Sequence, residues 1–129
     1  MASVASALRT VITAANITNI TTKVFRNVAP DSEAYPFVTF ADDVARVPAF
    51  SGDGVVRARI KTVSVNLWQL LDAEDTTLVE SLLAAVDGAD LAGADKTIFG
   101  CTVKDVQRLI SPDDNICQHS LSVDITHSN

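Results

Sequence analysis

The side chains in this sequence that could do chemistry are few and scattered. Two histidines, His119 and His127, and two cysteines, Cys101 and Cys117, are the whole supply of imidazole and thiol in 129 residues. His119 falls on the apolar side of an alternating run with Cys117, Leu121, Val123 and Ile125, the setting of a core histidine rather than of a general base. His127 reads as a solvated tail residue. Cys101 and Cys117 stand in strand-like surroundings at a spacing that matches no metal motif, so small, reduced, half-buried core residues are expected. A disulfide would need their strands to be neighbours, and nothing else points to an oxidising compartment. No Ser/His/Asp or Cys/His grouping is suggested by local context. Accordingly no catalytic, cofactor-binding or metal-ligating residue is expected.

Two carboxylate pairs, Asp42/Asp43 and Asp113/Asp114, raise the question of a hard cation or a shared proton. Adjacent residues on a strand point to opposite faces, so neither pair is a dyad by itself. Solvated turn acids are the better reading, with a divalent cation between subunits as the alternative. Gly52-Asp53-Gly54 lacks the spacing of a phosphate-cradling loop, and strand rather than helix follows it. The basic row Arg57, Arg59 and Lys61 is more informative. Alternate spacing on a strand puts the three on one face at intervals of about 6.5 to 7 Å. They form either a solvated sheet face or a contact with acidic segments of a neighbouring copy. Val44, Val47 and Phe50, set in an otherwise polar stretch, favour the contact, because exposed apolar residues on an extension usually await a partner. These six residues are the candidate subunit interface.

The elements that carry these residues can be read in order. Val4, Ala5, Leu8, Val11, Ile12 and Ala15 recur at helical spacing, with Ser3 as N-cap. A short strand follows at Val24-Phe25, a turn over residues 29–33, and a strand over 35–40 whose Pro36 must sit at an edge or at its start. Residues 42–54 read as a loop or arm, since connections longer than about 12 residues tend to be functional. The segment 55–69 is too long for an ordinary strand of about 5 or 6 residues, and its alternation changes phase. Val56, Ala58 and Ile60 are apolar on even positions, but Val63, Val65 and Leu67 on odd ones. That implies either a bulge or a twist near Lys61-Thr62, or a face buried first against a partner and then against the domain's own helices. A second helix carries Leu78, Val79, Leu82, Leu83 and Val86, with Asp72 as N-cap and Gly88 as its stop. A strand around Phe99, Cys101 and Val103 has imperfect phase past Lys104. Turn residues 111–115 lead to a last strand. The expected fold is α+β: a mostly antiparallel sheet with two helices on one face, one domain over residues 1–129, and residues 42–61 as a projecting hairpin arm.

Composition narrows the function. Apolar residues make up 47% but aromatics only 5%, which suits thin layers of helix on sheet rather than a ring-lined pocket. Sixteen acids against ten bases give a net charge of −6, which argues against gripping phosphate backbones. There is no stretch near the roughly 18 apolar residues of a spanning helix. No secretory leader is expected, so the default is a protein of a reducing cytoplasm.

The element order, with Tyr35-Pro36-Phe37-Val38, Val63-Ser64-Val65-Asn66-Leu67-Trp68 and a late His119, resembles the tail terminator and tail-completion proteins of long-tailed phages. The resemblance implies a small α+β subunit of a hexameric ring at the head-proximal end of the tail tube. Its partners would be copies of itself, the tail-tube protein and the head–tail connector, with DNA passing through unheld. It implies no catalytic residues and a place in the virion tail or neck, assembled in the host cytoplasm. A tail-tube or other neck subunit is the alternative, and a small α+β enzyme a distant third. The segment 42–54 is more elaborate than a minimal member of that family would need.

Overall fold

The computed structural model describes residues 4–15, 17, 20, 23–26, 34–50, 56–91, 94 and 96–128, with backbone alone at 5, 42–50, 56 and 57. Two helices, α1 (Val4–Ala14) and α2 (Thr76–Val86), cover one face of a five-stranded sheet, β1 (Val24–Arg26), β2 (Phe37–Phe50), β3 (Val56–Leu70), β4 (Ile98–Ser111) and β5 (Ile116–Ser128). The strand order is β1-β2-β3-β5-β4. Every pairing is antiparallel except β1 with β2. The α+β reading therefore holds.

Alternation decides which side of the sheet meets the helices. On β3, Lys61, Val63, Val65, Leu67 and Gln69 are buried and the residues between them are not. On β5, every second residue from Cys117 to His127 is buried. The register pairs these rows directly, Val63 with Val123, Val65 with Leu121 and Leu67 with His119. With Val38 and Phe40 of β2 they form the floor of one core, onto which Leu8, Ile12, Leu78, Leu82 and Val86 of the helices pack. α1 lies over β1 and β2, and α2 over β4 and β5.

The helix termini follow local chemistry, with one correction. Asp75, not Asp72, caps α2: its carboxylate accepts from the Thr77 N–H at 2.9 Å. Asp72 lies instead in a 3₁₀ turn over Leu71–Ala73. Asn115 holds that turn, its carbonyl accepting from Leu71 N–H and its side-chain oxygen from Asp72 N–H. Gly88 ends the helix at φ +72°, a left-handed conformation that glycine takes without a Cβ clash. The proposed Ser3 cap and the turn at 29–33 lie outside the described residues.

Residues 42–50, read as a loop or as part of a hairpin arm, are strand and pair with β3. The irregularity expected near Lys61-Thr62 is present in the pairing of β3 with β2, while β3 pairs with β5 without interruption from Ala58 to Leu70. Ala58 and Ile60 lie on the face away from the helices, out of phase with Lys61 and Val63. The irregularity sits on β2, where residues 43–45 stand against Thr62 alone, between the pairs Asp42–Val63 and Arg46–Lys61. On β4 the expected break past Lys104 is present as a register shift between Val103 and Asp105.

Candidate functional site: two sheet edges and a buried cluster

The candidate interface residues divide on inspection. Arg59 and Lys61 lie on the helix side of β3, in phase with Val63, and Lys61 is only 6% exposed. Lys61 is therefore buried within its own chain and not part of a solvated outer face. From Ala58 onward β3 is also paired with β5, so residues 58–61 are embedded in the sheet rather than projecting from it. The backbone sets Val47 opposite Ile60 and Phe50 opposite Val56, and Val44 falls in the β2 irregularity. The side chains of Val44, Val47, Phe50 and Arg57 lie outside the described residues.

Both sheet edges are long. β1 pairs with β2 only at Val38, Thr39 and Phe40, so among the described residues β2 has no strand on its outer side over 42–50. The opposite edge is β4. Its apolar side chains Phe99, Val106, Leu109 and Ile110 are 61%, 42%, 51% and 49% exposed. Phe99 lies at a register shift between Ile98 and Gly100. Val106 and Ile110 face the helix side, opposite Leu121 and Cys117, and still are not covered. An uncovered edge strand with apolar side chains is a template for another chain unless bulges or charges blunt it. Lys104 and the two register shifts blunt the first half of β4, whereas the pairing from Asp105 to Ser111 is regular.

The sheet face away from the helices is small and polar. Trp68 Nε1 donates to Thr39 Oγ1 (2.9 Å), Gln118 Nε2 to Asn66 Oδ1 (2.9 Å) and Thr62 Oγ1 to Asp124 Oδ1 (2.8 Å). These ladders satisfy the face without a covering layer. Phe37 stacks on Trp68 with centroids 6.3 Å apart, and Tyr35 lies 5.0 Å from Phe37.

A cluster of ionisable groups lies at the approach to α2, where local sequence context suggested none. Glu74, between the 3₁₀ turn and α2, is gripped by Arg108 of β4: Nη2 donates to Oε1 at 2.6 Å and Nε to Oε2 at 2.8 Å. His119 Nε2 lies 2.8 Å from Oε2, and Cys117 Sγ lies 3.5 Å from the same nitrogen. The Arg108 guanidinium, with His119 and Cys117 adding hydrogen bonds against the cost of burial, holds the Glu74 carboxyl down to about 2. Burial pushes the Cys117 thiol up, and the nearby Glu74 pushes it further. Because the sulfur and the carboxylate meet one and the same imidazole nitrogen, the cluster is not a relay with the base between nucleophile and orienter. Glu74 was missed because no local spacing links it to residues 34, 43 and 45 positions away.

The remaining candidates resolve simply. Both cysteines are buried and free, so no disulfide joins them. His127 is 1% exposed rather than solvated, with Nδ1 2.7 Å from the Ser128 carbonyl oxygen. Asp113 and Asp114 are exposed on a second 3₁₀ turn, Pro112–Asp114, as expected of turn acids. No described helix is long and apolar enough to cross a membrane.

Comparison with known proteins gives one kind of signal. No protein-family model matches the sequence, and no curated protein matches it. Among solved structures, the chain is similar to one from the virion of a native gene transfer agent particle. The TM-score is 0.66 and the identity 19%, over 98% of this chain and 92% of that one. At that identity the likeness speaks for the fold.

Proposed function

We propose that this chain is a structural virion protein: a subunit of a homo-oligomeric ring, a hexamer, that closes the head-proximal end of a phage-like tail tube and joins it to the head connector. The observation that carries this reading is a fold shared along nearly the whole chain with a component of a virion particle. Two features of the molecule agree with it. A closed ring needs a heterologous interface, in which one patch meets a different patch of the next copy. β2 over residues 42–50 and β4 over 98–111 are two unlike edges on opposite sides of one sheet. Val44, Val47, Phe50, Arg57 and Arg59 around the β2–β3 hairpin are the side chains assigned to that contact. The net charge of −6 suits a lumen through which DNA slides without being held.

The test is genetic and structural. Particles made without the protein should carry overlong tails that lack heads, as seen by electron microscopy. Absent tails would instead mark a tube subunit. Normal, infective particles, or a purified protein that stays monomeric and never associates with tail tubes, would sink the ring.

A further inference from the structure

We propose that Glu74, Cys117 and His119 form a binding site for one zinc ion. Among the described residues these are the one group of three side chains whose ligand atoms lie together, all within 4.8 Å of one another. The donors are a carboxylate oxygen, a thiol sulfur and an imidazole nitrogen, a mixture that suits a borderline-soft cation such as Zn²⁺. Sγ and Oε2 both lie against Nε2, at 3.5 and 2.8 Å, so the imidazole nitrogen stands between the sulfur and the carboxylate. In a tetrahedral zinc site, sulfur and nitrogen ligands stand about 3.5 Å apart and nitrogen and oxygen about 3.3 Å apart, from metal–ligand lengths near 2.3 and 2.0–2.1 Å. The first separation is already present. The second requires Glu74 to withdraw by roughly half an ångström, at a residue that lies between the 3₁₀ turn and α2.

The elements provide the rest of a metal site. Cys117 and His119 alternate on β5, so the sheet fixes both on one face. Arg108 holds both carboxylate oxygens, Nη2 on Oε1 and Nε on Oε2, so zinc would share Oε2 with the guanidinium, which acts as the outer-shell partner that orients the ligand. Its side chain is 48% exposed and that of Glu74 17%, whereas that of His119 is 7%, so the cluster is open to solvent on the arginine side. Binding displaces the thiol proton to solvent, and His119 coordinates as the neutral ring with its proton on Nδ1. Zinc would then tie the approach of α2 to β5. The site does not depend on the ring reading, and either can fail alone.

The experiment uses the purified full chain, stripped with a chelator and titrated with Zn²⁺, and in parallel with Co²⁺ as a spectroscopic probe. One ion per chain is expected, with a thiolate-to-cobalt charge-transfer band in the near ultraviolet. Cys117→Ser and His119→Gln should each weaken Zn²⁺ binding by more than about a hundredfold, beyond the range typical for losing an outer-shell partner. Cys101→Ser should leave stoichiometry and band unchanged, since Cys101 donates to the Val86 carbonyl away from the cluster. Absence of stoichiometric binding, or equal loss in Cys101→Ser, overturns the site. If Cys117→Ser does not fold, the cobalt band of the unaltered chain decides: present, the site stands; absent, it falls.

Discussion

β5 and β4 are hydrogen-bonded neighbours, yet they treat their apolar residues in opposite ways. β5 buries every second residue from Cys117 to His127. β4 buries Cys101 and then leaves Val106, Leu109 and Ile110 exposed. Alternation chooses the face a side chain points to, but burial also needs something on that face. α2 reaches both strands, but β5 has a strand on either side, whereas β4 is an edge. The same apolar content therefore does two jobs, holding the chain together in β5 and remaining available on β4. The largest test of the contrast is a pair of truncations. Leu121→Ala, at a fully buried site, should cost about 2–5 kcal/mol in urea unfolding. Leu109→Ala should cost less than about 0.5 kcal/mol. Equal losses would mean that β4 is part of the core.

The Glu74 cluster sits where the two regions meet, since it ties β4 and β5 to the approach of α2. Glu74→Gln should destabilise the chain by about 1–2 kcal/mol at neutral pH, the range for hydrogen bonds to a charged group, discounted for the exposed arginine. The sign with pH follows from the depressed carboxyl. Its contribution is complete above the ordinary carboxylate range near 4.5 and disappears as pH falls toward about 2. Unfolding free energies of the two proteins, measured from pH 7 downward, should therefore converge in acid. A difference that persists at pH 2 would show that the ion pair is not its source.

How much of this was legible in the sequence depended on whether the signal was local. β5 was readable because each of its apolar positions obeys one period. The break past Lys104 was readable for the same reason, as a period interrupted. The phase change on β3 was legible as a broken period, but that the extra residues stand on β2 opposite Thr62 shows only in the pairing. The cap of α2 shows the limit at close range. Asp72 and Asp75 are equally good caps by type, and Asn115, far along the chain, engages Leu71 and Asp72 in a separate turn. The Glu74 cluster was not legible, because its members come from three elements that only the fold brings together. The cap assignment is itself testable. Asp75→Ala should cost about 1 kcal/mol by thermal unfolding, and Asp72→Ala should cost only a few tenths.

The smallest expected effect on the fold is the one that bears most on function. Leu109 and Ile110 point to opposite faces of the β4 edge, Leu109 opposite Gln118 and Ile110 opposite Cys117. Replacing either with lysine removes few contacts within the chain, so its stability should stay within about 0.5 kcal/mol. A lysine on an edge strand is also a device that keeps other chains from pairing with it. If β4 is one half of a heterologous contact, the doubly substituted chain should remain folded and run as a monomer in sedimentation velocity, under conditions where the unaltered chain assembles. It should also fail to complement particles that lack the protein. Assembly that survives both lysines would move the contact away from this edge, to the polar sheet face or to the β2–β3 hairpin. A double variant that loses its fold would show instead that the exposed half of β4 belongs to the core, and the contrast with β5 would dissolve.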